Sequence, residues 1–150
     1  MTIKTILLDS TPLSLLCGPP RKSNVAACRL WRDSLVAAGH TVIIPEIIDY
    51  EVRRELIRAN KSASVTRLDE LHDELAYLPL YTDALLIAAD LWATARQTGQ
   101  QSASDDSLDV DMILAAQALF LQLPNTIIAT ANVAHIRPFA PADLWSNITP

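Results

Sequence analysis

Asp9, Glu51, Asp111 and Asn132 are the residues of this chain whose types and placement could assemble an oxygen-lined pocket. Asp9 follows the apolar run Ile3-Lys4-Thr5-Ile6-Leu7-Leu8, and Asn132 follows Thr126-Ile127-Ile128-Ala129-Thr130-Ala131. Both runs read as central strands. In an open α/β sheet, ligands bind just beyond the carboxyl ends of the strands, where strand order reverses. Glu51 and Asp111 lie in helix-like segments that could bring two more carboxylates to that edge. Three carboxylates and an amide oxygen suit a hard divalent cation such as Mg²⁺. Phosphodiester hydrolysis is the chemistry this implies. One or two Mg²⁺ ions would neutralise charge on the phosphate and the departing oxygen and would lower the pKa of an attacking water.

Taken singly, each residue has an ordinary structural role. Asp9 is a turn cap, and Glu51 is an i, i+4-type partner on a charged helix. Asp109 and Asp111 fall in what reads as a first helical turn, where the dipole favours negative charge. Their joint placement carries the functional reading. Rival constellations are weak. His40, His72 and His135 have no metal-ligand spacing, although His135 lies three residues after Asn132. There is no G-x-S-x-G elbow, and three glycines in all leave no phosphate-cradling loop.

The chain has 150 residues, the usual size of one domain, and half of them are apolar. No apolar run is long enough to cross a membrane, and the first residues lack a signal-peptide pattern, so a cytoplasmic location is expected. Cys17 and Cys28 have no disulfide or zinc spacing and read as packing residues. A net charge of −5 argues against a nucleic-acid binder that uses its whole surface. The cations are grouped, however. Arg21, Lys22, Arg29 and Arg32 form one group, and Arg53, Arg54, Arg58 and Lys61 another. Arg54, Arg58 and Lys61 at i, i+4 and i+7 read as one helix face, either solvated or a rim for RNA phosphates.

Strand-like and helix-like segments alternate, the pattern of an α/β fold with a mostly parallel sheet. After the strand at 3–8, Pro12, Pro19 and Pro20 allow only a short helix. A helix is expected over 24–38, with Val25, Cys28, Trp31, Leu35 and Val36 inward and Gly39 ending it. A strand follows at 41–44. Pro45 then opens a helix to about Asn60. Another helix is expected over 64–78, a short edge strand over 78–81, and a helix capped by Thr82 to near Gly99. The polar stretch 97–107 reads as a loop. Beyond it, Val110, Ile113, Leu114, Gln117, Ala118 and Leu121 predict an amphipathic helix with one polar member in its stripe. Pro124 and Asn125 precede the last strong strand, and Trp145 anchors the tail.

These residues together resemble the PIN-domain family. Ile6-Leu7-Leu8-Asp9-Ser10-Thr11-Pro12-Leu13 resembles the family's opening strand with its first acidic ligand, and Tyr50-Glu51-Val52-Arg53-Arg54-Glu55-Leu56 the helix with its second. Asp109-Val110-Asp111-Met112-Ile113-Leu114-Ala115-Ala116-Gln117-Ala118 is similar to the D-x-x-I-A-A-x-A helix, with Asp111 at the ligand position. Thr130-Ala131-Asn132 is similar to the T-x-N/D motif. The resemblance spans nearly the whole chain, and the nearest subgroup is the VapC-like toxins of type II toxin–antitoxin pairs.

The resemblance implies one domain over 1–150, built as a Rossmann-like three-layer α/β/α sandwich. It implies an Mg²⁺- or Mn²⁺-dependent ribonuclease that forms a homodimer and is inhibited by a small cognate antitoxin. Asp9, Glu51 and Asp111 would be the metal ligands, and Asn132 would orient a water or a phosphate. Ser10, Asp109 and Thr130 would have supporting roles. An amide in place of a carboxylate at Asn132 weakens the hold on a second metal. Two other readings compete: a PIN-fold module that binds RNA or protein without catalysis, and a phosphatase on a similar sheet. The phosphatase would need a second aspartate two residues after Asp9, where Thr11 stands.

Overall fold

In the central strand β1 (Thr5–Leu8) every residue is buried, as a continuous apolar run predicts for a strand covered on both faces. The computed structural model describes residues 2–99 and 105–150, the side chains of 105–107 excepted. Beside β1 lie β2 (Thr41–Pro45) on one flank and β4 (Thr126–Thr130) on the other, with β3 (Ala76–Leu78) and β5 (Ala142–Leu144) at the two edges. All four pairings are parallel. The order β3-β2-β1-β4-β5 reverses between β1 and β4, so the switch point lies at the middle of the sheet.

Parallel neighbours need long crossovers, and helices supply them. They are α1 (Ser10–Leu16), α2 (Ser23–Ala37), α3 (Glu46–Arg58), α4 (Ser62–Glu74), α5 (Thr82–Gln97), α6 (Asp105–Phe120) and α7 (Val133–Ile136). Sheet and helices together make the Rossmann-like three-layer α/β/α arrangement. One core joins Ile6, Leu8, Leu35, Ile44, Ile48, Leu68, Leu114 and Ile128, each fully buried. Cys17 and Cys28 are packed within it, and burial pushes both thiols up to about 12. Among the described residues, no helix is long and apolar enough to cross a membrane.

Punctuation by Gly39 and Asn60 is explicit in the backbone. Gly39 takes a φ of 88° while the His40 amide donates back to the Leu35 carbonyl at 3.1 Å. Asn60 takes a φ of 57° while the Lys61 amide donates to the Leu56 carbonyl at 2.9 Å. Both are left-handed helix ends that satisfy a last-turn carbonyl.

Several expected elements differ. The helix expected over 64–78 ends at Glu74, because Tyr77 and Leu78 pair with Ile44 and Pro45 of β2. The edge strand is therefore 76–78 rather than 78–81: sheet pairing overrides the helix propensity of the Glu-Leu-Ala stretch. Thr82 is the first residue of α5, and the capping position belongs to Tyr81, which makes no side-chain cap bond. Val36 is exposed, and Arg32 is buried in its stead, reaching Asp33 and Glu74. The tail forms β5, an edge strand too short to read beside Pro141. Trp145 packs edge-to-face on Trp31 with centroids 5.3 Å apart. Of the loop expected over 97–107, residues 100–104 lie outside the described residues, and 105–107 are already helical.

The stripe on α6 is not amphipathic. Leu108, Val110, Met112, Leu114, Ala115, Ala116 and Ala118 are all buried, so the helix is apolar nearly all round. Gln117, the polar member, is fully buried and fully used. Its Oε1 accepts from the Ile47 amide at 3.4 Å, near the start of α3, and its Nε2 donates to the Leu78 and Pro79 carbonyls at 3.1 and 3.3 Å. Gln117→Leu would strand those backbone groups in the core, at a cost of about 1–3 kcal/mol despite the more apolar side chain. Urea unfolding of the variant should show this loss. Equal or greater stability would mean that the three bonds contribute nothing.

Candidate metal centre

Asp9 sits at the carboxyl end of β1, and its amide extends the β1–β4 ladder by donating to the Ala129 carbonyl at 3.0 Å. Its side chain is held from two sides. Oδ1 accepts from the Ser10 amide at 2.7 Å, capping α1. Oδ2 accepts from the Thr130 hydroxyl at 2.7 Å, across the seam between β1 and β4. Thr130 is fully buried, and its Oγ1 in turn accepts from the Asn132 amide at 2.9 Å. Asp9 is buried, 7% exposed, so these two donors set where its carboxylate can point.

Two further carboxylates act on it. Glu51 is half-buried in the second turn of α3. Burial pushes its carboxyl up and Asp9 pushes it further, against a hydrogen bond from the Ser10 side chain and the charge of Arg54. Asp111 is half-buried on α6. Burial, then Asp9, then Glu51 raise its carboxyl to about 7, and no cation offsets them. The structure thus brings Asp9, Glu51 and Asp111 into one repelling set beside the switch point.

The other sequence candidates fall at varying distances from that set. Ser10 belongs to it through its hydrogen bonding. Asn132 stands at the start of α7 with its side chain exposed and making no cap bond. Asp109 stands apart. Helix α6 begins at Asp105, so neither Asp109 nor Asp111 is in its first turn, and two residues turn a helix by about 200°. Asp109 therefore faces away from Asp111. It is exposed and lines a shallow groove with Leu85, Trp92 and Ile113.

Nor do Arg54, Arg58 and Lys61 share one helix face, because Asn60 ends the helix before Lys61. Arg54 lies over the Tyr50 ring, 5.2 Å from its centroid. Arg58 pairs with Glu55 at 2.9 Å. Arg58 and Lys61 line an open cleft together with Ser10, whereas Arg54 does not.

Nearby Asp49 has a different role. It is buried and accepts from Arg53 at 2.9 Å and from His72, while Arg53 also reaches Asp69 at 2.7 Å. Burial works to raise the Asp49 carboxyl, but the bonds from Arg53 and His72 outweigh it and hold the group below its usual range. Arg53 is thereby committed to joining α3 and α4. Asp49 is a neutralised structural carboxylate, and Asp111 is the opposite case.

That contrast tests whether the set suits a cation. Its donors are all oxygens, no cation offsets the raised Asp111, and an Asp near 7 marks a place where positive charge is missing. Among the described residues, no three His, Cys, Asp or Glu side chains stand close enough to enclose an ion as they are set. The fit is therefore one of donor type and charge, and closing on an ion would require side-chain rotation.

Comparison with known proteins bears on the same residues. The sequence model of the PIN domain matches residues 6–136, a span that holds all four candidates. Among solved structures, the chain is similar to VapBC-1 from nontypeable Haemophilus influenzae, with a TM-score of 0.69 at 15% identity over 95% of this chain and 99% of that one. It is also similar to VapBC2 from Rickettsia felis bound to a DNA fragment from their promoter, with a TM-score of 0.66 at 15% identity, covering 93% and 97%. DNA-bound VapBC from Salmonella typhimurium gives a TM-score of 0.62 at 17% identity, covering 96% and 99%. No curated protein matches the sequence.

The raised Asp111 carboxyl has a consequence for stability with a definite sign. The folded form holds a proton between about pH 4 and 7 that the unfolded form has released, so this group weakens the fold as pH rises through that window. Asp111→Asn removes the penalty. In the presence of a chelator the variant should melt above the wild type at pH 8, and the difference should shrink towards nothing near pH 4. Melting curves across that range check it, and a gap that does not vary with pH would contradict the raised carboxyl.

Proposed function

The chain belongs to the PIN domain family, and from that membership we propose that it is an Mg²⁺- or Mn²⁺-dependent endoribonuclease, the VapC-like toxin of a type II toxin–antitoxin pair. One observation carries the reading: at the switch point of the sheet, burial and then the charges of Asp9 and Glu51 raise Asp111 to about 7, with no cation to offset them. In this reading Asp9, Glu51 and Asp111 hold the metal. When bound, the ion neutralises charge on the phosphate and the departing oxygen and makes water a competent nucleophile.

The protein's own groups do the positioning. The Ser10 amide and the Thr130 hydroxyl fix the Asp9 carboxylate, so the site does not have to order it when substrate arrives. The Ser10 side chain restrains Glu51. The exposed amide of Asn132 orients a water or a phosphate oxygen. Arg58 and Lys61, with Arg54 beyond them, meet the RNA backbone. The partners proposed are an RNA substrate, a small cognate antitoxin and a second copy of this chain, in the cytoplasm. Support for the antitoxin is the likeness to VapBC proteins from three bacteria.

A PIN-fold binding module without catalysis is the competing reading. The spacing of the carboxylates, too open to enclose an ion as set, favours it. Cleavage of cellular RNA by the purified chain separates the two. Wild type should cleave with Mg²⁺ or Mn²⁺ and stop with a chelator. Asp9→Asn and Asp111→Asn should each lose at least ~10- to 100-fold in rate, the typical cost of disturbing even the outer partners of a metal site, while their circular dichroism stays that of the wild type. Cleavage by Asp111→Asn at the wild-type rate would remove Asp111 from the site. No cleavage by the wild type with either metal would leave the binding module.

A further inference from the structure

Outside the carboxylate cluster, the strongest charged feature is an open cleft of about 860 Å³ between the α1–α2 loop and the α3–α4 loop. It holds Arg21, Lys22, Arg58, Lys61 and Arg67, and Glu55 as its one acid. Five of the chain's twelve Lys and Arg residues thus share it with one of seventeen Asp and Glu residues. In a chain of net charge −5 this is a strong local reversal of sign. Glu55 pairs with Arg58. Among the described residues, Arg21, Lys22, Lys61 and Arg67 have no carboxylate within ion-pair distance.

Two of these cations stand on fixed backbone. Arg67 donates from Nε to the Cys17 carbonyl at 2.8 Å and from Nη2 to the Ser64 hydroxyl at 3.4 Å, leaving its remaining N–H groups for a ligand. Lys61 follows the left-handed Asn60 that ends α3. Gly18 lets the α1–α2 loop approach α2 closely, since a Cβ there would stand 2.6 Å from the Val25 side chain.

We propose that this cleft is the track for a single RNA strand and that it reads only the phosphate backbone. The proposal rests on the ribonuclease reading and says how the substrate reaches the site. Carboxylates alone would repel a polyanion, and a cleft rich in cations would attract one; its lining includes Ser10, which itself bonds Glu51, so the cleft and the carboxylates share that residue. The cleft lining contains no aromatic residue. Proteins that bind single strands combine a positively charged groove along the backbone with aromatic rings on which bases stack, and this cleft has the first without the second. Choice of cleavage sequence must therefore come from elsewhere.

The test is fluorescence anisotropy with labelled oligo(U) and oligo(A) of roughly 12 nucleotides, bound to the full chain in a chelator at several salt concentrations. Two double variants are compared, Lys22→Gln/Arg67→Gln and Arg21→Gln/Lys61→Gln. Among the described residues the side chains of the second pair have no bonding partners, which protects against a folding artefact. Each should weaken both oligomers about tenfold and lower the salt slope by about 1.4, the value for two lost contacts to a single strand. Wild-type affinity and slope in Arg21→Gln/Lys61→Gln would overturn the proposal. So would a loss confined to one oligomer, or normal RNA binding with loss of an oligo-glutamate probe. A chain that binds through the cleft and cleaves nothing with Mg²⁺ or Mn²⁺ would keep the track and discard the nuclease.

Discussion

The placement of Asp9 is the constraint from which the rest of the site follows. Its carboxylate is buried at the seam of β1 and β4 and clamped by the Ser10 amide and the Thr130 hydroxyl. One donor comes from the start of α1 and the other from the far strand, so the bond pair ties the switch point together across 121 residues of sequence. With Asp9 so fixed, any carboxylate brought to the same edge must bear its charge. Glu51 on α3 and Asp111 on α6 do, on top of the larger effect of their own burial.

A fold that crowds acids without pairing them sacrifices stability. The alternative solution stands on the same helix. Asp49, two residues before Glu51, is neutralised by Arg53 and His72 and falls below its usual range. The chain therefore has the means to neutralise a buried acid on α3; at Glu51 the charge of Arg54 only partly offsets burial and Asp9, and at Asp111 no cation does. Uncompensated charge of this kind is typical of functional sites rather than of structural ion pairs. Opposite in sign, the cleft that holds Arg21, Lys22, Arg58, Lys61 and Arg67 shares Ser10 with this cluster.

Much of the fold could be read from the sequence because its signals were local. Ile6-Leu7-Leu8 and Ile127-Ile128-Ala129 are continuous apolar runs, and Gly39 and Asn60 mark helix ends by their backbone freedom. Features decided by distant pairing were not legible. Ala76-Tyr77-Leu78 is a strand only because β2 lies beside it, and Ala142-Asp143-Leu144 only because β4 does. The stripe on α6 misled because a helix with apolar residues buried on most of its sides contains an amphipathic pattern as a subset of them. In the site, Asp9 and Asn132 were marked by following strands, but Asp109 and Asp111 look alike in sequence. Only the helix phase and its earlier start at Asp105 separate them. Arg67 carried no signal at all. Its place in the cleft depends on the Cys17 carbonyl, 50 residues away.

The central claim is that Asp9, Glu51 and Asp111 form one cation site in which burial, with the charges of Asp9 and Glu51, raises the Asp111 carboxyl. Calorimetric titration of Mn²⁺ into the metal-free chain, in two buffers of different ionisation enthalpy, tests it most directly. An ion that takes Asp111 as a ligand must displace the proton which that carboxyl carries up to about pH 7. The account predicts release of nearly one proton per ion near pH 6, fading above pH 8, and abolished in Asp111→Asn. Absence of binding, or binding with no proton released at the lower pH, would contradict it.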